Sequence, residues 1–177
     1  MRKEVEAMQV LKSKRLMLLI ISLASIFALG LTSSLAQEKT KFAGKRYGVM
    51  TKTEVIELDD TEGHILSLGE SKGIDVTTGD QFVSSGFSDS VMGNGTHWGY
   101  SKTIDKDGDV AFSPFKMQVT TTLSPQGKPI TTFQGTFSFS KGTGKWENVQ
   151  ASGTFKGRMI GPETYMYDWE GEYSTKK

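Results

Sequence analysis

The residues with the most capacity for chemistry are charged and imidazole side chains set among apolar neighbours. Glu70 and Lys72 share a strand parity with Leu66, Leu68, Ile74 and Val76, and Asp89 shares one with Val83, Phe87 and Val91. If those parities face a closed interior, Glu70 and Asp89 stand there as buried carboxylates, either anchors for a ligand's polar end or perturbed acids able to move a proton. A bulge at Gly69, Gly73 or Gly86 would reverse the parity and send them to water. His64 and His97 are the two histidines, each at the start of a predicted strand. No spacing gathers carboxylates around either, so no metal site is expected. His97, beside Trp98, is a candidate general base, with a solvated loop histidine as the plain alternative. Asp105-Lys106-Asp107-Gly108-Asp109 offers alternate carboxylates, as a calcium loop does. Its glycine comes too early and Lys116 stands where a bidentate Glu is required, so it reads as an acidic hairpin turn.

Such side chains must be positioned by strands, because no convincing amphipathic helix follows residue 36. Strands are predicted over 45–58, 64–76, 82–92, 96–104, 110–123, 130–139, 150–159 and 164–174. Asp59 to Gly63, Thr78-Gly79-Asp80, Gly93-Asn94-Gly95, Asp107-Gly108 and Ser124 to Gly127 separate them. Gly and Asn supply positive φ and Pro presets a turn, so each connection is a hairpin. Eight strands joined in succession predict an all-β, antiparallel up-and-down barrel, the size at which a sheet closes and still holds one small ligand. A two-sheet β-sandwich fits the same short strands. Nineteen of the twenty glycines follow residue 36, many within strands, which suggests bulges and bends. A turn centred on Asn94 further requires a register shift between strand 82–92 and strand 96–104.

The last strands alternate most clearly. Phe133, Phe137 and Phe139 share one face of their strand, and Tyr165, Tyr167, Trp169 and Tyr173 one face of theirs. Period-two alternation separates a dry face from a wet one, so these rings are assigned to the interior, with Phe133, Phe137, Tyr165, Tyr167 and Trp169 as ligand-lining candidates.

Residues 1–36 form a leader. Lys12, Lys14 and Arg15 precede the apolar run Leu16 to Leu31, and Ser34-Leu35-Ala36 places small residues where a signal peptidase reads. Cleavage after Ala36 leaves a polar lead-in over 37–44 and one domain over 45–177, in a secreted or periplasmic location. An uncleaved anchor is the rival reading, but the run is short of the roughly 20 apolar residues a span needs. With the leader's five basic and two acidic residues removed, 16 basic and 18 acidic side chains remain, a net charge of about −2. That balance offers no footprint for nucleic acid or an anionic membrane. The absence of cysteine excludes a disulfide, a thiol nucleophile and a thiolate metal site. No catalytic signature of a phosphate loop, nucleophile elbow or His-Glu-x-x-His is present, and no cofactor is expected. Asn94-Gly95-Thr96 is a formal glycosylation sequon that turn chemistry accounts for.

Lys141-Gly142-Thr143-Gly144-Lys145-Trp146-Glu147-Asn148-Val149, followed by Gly153-Thr154-Phe155-Lys156-Gly157, resembles the late-strand turn of the allene oxide cyclase and dirigent-like barrels. Gly142, Thr143, Gly144 and Trp146 carry the resemblance, and the strand count agrees over the mature region. It implies an up-and-down barrel with a central cavity for an apolar small molecule. The superfamily includes a cyclase acting on a fatty-acid epoxide and proteins that steer radical coupling of phenols, but none of their functional residues aligns here. The plain reading of the motif is a corner that packs Trp146 over a barrel end.

Three functions follow as expectations. The first is an exported barrel that binds a small, largely apolar or aromatic molecule. The second is a cyclase- or isomerase-like enzyme that shapes its substrate with the help of Glu70 or Asp89. The third is a structural or surface-acting protein with a filled core and no ligand.

Overall fold

The computed structural model of the chain describes residues 39–175, and every count below refers to them. The expected signal helix and the expected cleavage after Ala36 fall on residues outside the described ones. Nine strands form: β1 (Thr40–Glu57), β2 (His64–Asp75), β3 (Gln81–Val91), β4 (Asn94–Ile104), β5 (Val110–Leu123), β6 (Pro129–Ser138), the two-residue β7 (Lys141–Gly142), β8 (Val149–Met159) and β9 (Thr164–Thr175). A single 3-10 turn spans Gly144–Trp146. β1 starts inside the segment 37–44 that was expected as a lead-in, because Thr40 to Gly44 pair with Trp169 to Tyr173 of β9.

Apart from the two-residue β7, each strand pairs antiparallel with the next, β6 with β8, and β1 pairs with β9, so eight strands close into an up-and-down barrel. β7 is an extra pairing on β5, with Ala111 opposite Gly142. Closure satisfies the edges that an open sandwich would expose. The turns after β1, β3, β5 and β8 lie at one end, the mouth. Those after β2 and β4, with the β6–β8 connection, lie at the other, the floor.

The β3–β4 hairpin pivots on Met92-Gly93 rather than Asn94. Both residues take positive φ, 52° and 74°, as the two-residue turn that matches strand twist requires. Asn94 instead holds the turn in place: its Nδ2 donates to the Met92 carbonyl at 3.0 Å and its Oδ1 accepts from the Thr121 amide at 3.0 Å. Phe87 therefore faces Trp98, and His97 faces Ser88, without the expected shift. The shift that does occur lies in β1, between Met50 and Lys52.

In β2 and β3 the expected orientation is inverted. Ser67, Gly69, Ser71 and Gly73 point inward from β2, as Ser84, Gly86 and Ser88 do from β3, and the apolar parity faces out. Phe87 and Trp98 stack on the outer surface at 6.4 Å, 55% and 42% exposed. Glu70 and Asp89 share that outer parity and are exposed; they are not cavity residues. The reason is volume. Rings from β1, β6, β8 and β9 line one wall of the interior, and the inward positions of β2 and β3 opposite them carry mostly serine and glycine.

The strand glycines serve the same geometry rather than bulges. Trp169 lies directly opposite Gly44, Tyr165 opposite Gly48, Phe137 opposite Gly153 and Phe133 opposite Gly157. Each ring spreads over a position that has no Cβ to obstruct it.

Candidate functional site

The barrel is hollow. Its cavity measures about 940 Å³, within the range of small-molecule sites. A second hollow of about 300 Å³ lies at Phe139–Gly142 and Trp146–Gln150 and is the more open and polar of the two; the interior cavity is the better enclosed.

Of the residues singled out from sequence, Phe133, Phe137, Tyr165, Tyr167 and Trp169 all line the cavity. They form two ring clusters along one wall. Near the floor, Phe42 meets Trp169, Tyr173 and Phe137 edge-on, with centroids 5.0, 5.6 and 6.2 Å apart. Higher up, Phe133 packs edge-on against Tyr165 at 6.1 Å and Tyr167 at 6.2 Å, and the two tyrosines stack at 6.1 Å. Edge-to-face pairs of this kind add about 0.5–1.5 kcal/mol each beyond buried area.

The facing wall, from β2 to β5, carries hydroxyls. Their polarity is satisfied largely in pairs: Ser67 with Ser88 at 2.7 Å, Ser84 donating to Ser101 at 3.0 Å, and the Tyr165 hydroxyl donating to Ser71 at 2.8 Å. Burial pushes the Tyr165 phenol up to about 12, and burial likewise raises Tyr167. Both are neutral donors and acceptors at ordinary pH.

On the floor side lies a buried ion pair that the sequence did not reveal. Asp75 is fully buried; its carboxylate accepts from Arg46 Nε at 3.2 Å, Trp169 Nε1 at 2.6 Å and the Thr77 amide at 2.9 Å. Arg46 also donates to Thr103 Oγ1 at 3.1 Å and lies over the Phe82 and Trp169 rings at 5.1 and 5.6 Å. Burial alone would lower the Arg46 pKa, but Tyr167 and then Asp75 outweigh it and the guanidinium stays charged. A buried charge of this kind needs both its partner and its hydrogen bonds. Asp75 ends β2 without any motif, so only the folded register brings Arg46 to it.

The acidic segment Asp105–Asp109 is a turn on the floor side. Asp105 accepts from the Asp107 and Asp109 amides at 2.8 and 3.0 Å, from Trp146 Nε1 at 3.1 Å and from Lys145 Nζ at 2.7 Å. Lys145 first, and those amides and the indole after it, hold the carboxyl down to about 2. The Gly-Thr-Gly segment thus docks Trp146 against this turn, with Phe139 edge-on at 5.5 Å.

The histidines separate. His64 bridges Asp60 at 2.7 Å and Asp89 at 2.9 Å on the outer rim. Hydrogen bonds to Asp89 first and Asp60 second raise its pKa. His97 lies within β4 rather than beside a loop, and its ring lines the cavity. The signal that could have found it is the Met92-Gly93 turn, which places His97 on the inward parity with Ser88.

No family model matches this chain, and no curated protein matches it. A crystal structure of a protein with unknown function from Clostridium acetobutylicum ATCC 824 is similar in trace, with a TM-score of 0.43 and 14% identity over 76% of this chain and 98% of that one. A likeness that slight carries no functional argument.

Proposed function

We propose that this barrel is an exported carrier that binds one small, largely apolar or aromatic molecule inside. The observation that carries the reading is the cavity of about 940 Å³, walled on one side by Phe, Tyr and Trp rings. A filled core would leave no such space. Rings provide apolar contact at low conformational cost, and the neutral tyrosine hydroxyls orient a guest.

Entry is from the mouth. Several inward side chains near the floor are tightly packed, with Asp75 at 0%, Ala111 at 1% and Phe82 at 2% exposure, whereas Ile65, Ser90 and Thr121 at the mouth are half-buried. The enzyme reading loses the two carboxylates on which it rested, since Glu70 and Asp89 face water. The buried Asp75 is occupied by Arg46, Trp169 and backbone amides. Export is supported by the tripartite leader, and a hollow up-and-down barrel is what the resemblance to allene oxide cyclase and dirigent-like proteins leads one to expect.

The test is native mass spectrometry of the full chain, expressed with its leader and purified from the extracytoplasmic fraction. A bound organic mass that disappears on denaturation, on a chain beginning at Gln37, supports both halves of the reading. An empty barrel that shows no thermal shift with naphthalene or other apolar probes overturns the carrier role, and a chain retained intact inside the cell overturns export.

A further inference from the structure

His97 is a polar group of the cavity wall that no neighbour matches. Ser67 pairs with Ser88 and Ser84 with Ser101, whereas among the described residues His97 makes no hydrogen bond. Ser88 lies directly across on β3 and Met117 directly across on β5, but Ser88 is paired with Ser67 and Met117 is at most a weak acceptor. The imidazole is held in place by packing alone. Phe115 sits 5.5 Å from it, tilted by 53°. On the other side the ring lies so close to Gly86 that a Cβ there would fall 2.5 Å from Nε2. Among the described residues no side-chain nitrogen or oxygen sealed from solvent lacks a partner, so the free His97 nitrogens open onto the cavity space, where a guest can reach them. Two residues nearer the mouth is Gly95, so the ring stands just inside the entrance.

We infer that His97 is the polar anchor of the guest, and that the guest is a neutral amphipath carrying an alcohol or phenol hydroxyl on an otherwise apolar body. The inference rests on the carrier reading above and adds the group that selects among apolar guests. A neutral imidazole presents one N–H donor and one lone-pair acceptor, and a hydroxyl is the small group able to match either. Burial pushes the His97 pKa down to about 4, so the ring is uncharged at neutral pH and a carboxylate finds no cation there. The buried cation deeper in, Arg46, is already paired with Asp75. With its hydroxyl at His97 near the mouth, the guest's apolar body extends toward the rings of Phe133 and Trp169.

Three probes of one shape test this on the full chain: naphthalene, 2-naphthol and naphthalene-2-carboxylate, titrated by intrinsic fluorescence and calorimetry. 2-Naphthol is expected to bind about tenfold more tightly than naphthalene, the equivalent of about 1.4 kcal/mol, and the carboxylate more weakly than either. In His97→Phe the naphthol advantage should vanish while naphthalene affinity stays within about threefold; His97→Gln, which keeps a donor and an acceptor, should retain part of it. Should His97→Phe fail to fold, the imidazole ¹⁵N shifts of the unmutated protein give the same answer: they move with 2-naphthol and hold still with naphthalene. If naphthalene binds but 2-naphthol gains nothing, or its gain survives in His97→Phe with unmoved ¹⁵N shifts, or the carboxylate binds best, the anchor role is wrong and the carrier reading stands. If no probe binds, both fall.

Discussion

Trp169 lies directly across the β1–β9 pair from Gly44, and a Cβ on Gly44 would come within 2.7 Å of the indole. The ring can reach Asp75 and Phe42 only because the position beneath it is bare. The same relation recurs for Phe42 and Gly171, Tyr165 and Gly48, Phe137 and Gly153, and Phe133 and Gly157, so glycine placement on one strand influences which residue on the next can be aromatic.

Gly44→Ala should therefore behave as an overpacked core and lose about 1–3 kcal/mol. Gly161→Ala is the control, because an added Cβ there meets Thr164 at an ordinary 3.6 Å. Thermal melts of the two variants check it; equal melting temperatures would show that the indole has room to move.

The Arg46–Asp75 pair should be costly to break from one side. Asp75→Ala leaves the guanidinium, 16% exposed, without its counter-charge, and a loss of about 3–5 kcal/mol is expected. Trp169 would lose its indole acceptor as well. Urea unfolding measures the loss, and a change below about 1 kcal/mol would mean that water replaces the carboxylate.

His97 predicts a pH dependence of stability. Its folded pKa lies near 4, below the ordinary value of 6.5, so the unfolded chain binds a proton more readily. The stability associated with the neutral ring is complete above about pH 6.5 and is lost as pH falls toward 4. The groups facing it are Phe115, Met117, Ser88 and Gly86, none of which titrates. His97→Gln should flatten the stability curve between pH 6.5 and 4, and an unchanged curve would place the ring in water.

Asp105 acts lower on the scale. Its pKa is depressed to about 2, so its contribution is present above about pH 4 and is lost as pH falls through 2. Lys145→Ala removes the first cause of the depression and should move acid unfolding to higher pH, as followed by near-ultraviolet circular dichroism of Trp146.

Glu70→Gln should leave probe binding unchanged, since its side chain is outside the barrel. Asp89→Asn should cost less than about 1 kcal/mol, the usual worth of an exposed pair, through its bond to His64. A probe affinity altered severalfold by either variant would contradict the outward placement.

These placements mark where the fold was legible in the sequence and where it was not. Hairpin chemistry located all eight barrel strands to within a few residues at most ends, because Gly, Asn and Asp mark turns by their own backbone preferences. In β6 and β9 the rings lie on the inward parity, and alternation pointed the right way. In β2 and β3 the same rule inverted Glu70 and Asp89, since an apolar face marks the interior only where the interior is filled. A hollow barrel of this width places serine and glycine opposite its rings and leaves Leu68 and Phe87 outside. The Arg46–Asp75 pair and the inward turn of His97 depend on strand register, which a one-residue slip is enough to reverse.

Thr40 sits opposite Tyr173, which means that the earliest part of the domain to be synthesised waits for the latest. Every other neighbour can zip up locally as the chain grows, but the last seam demands a partner about 130 positions away, the kind of distant contact that slows folding. Until it forms, the nascent sheet has two bare flanks and an unroofed set of rings. Assembly of this barrel is therefore paced by the twelve residues of β9, and truncating that strand would leave the last seam open.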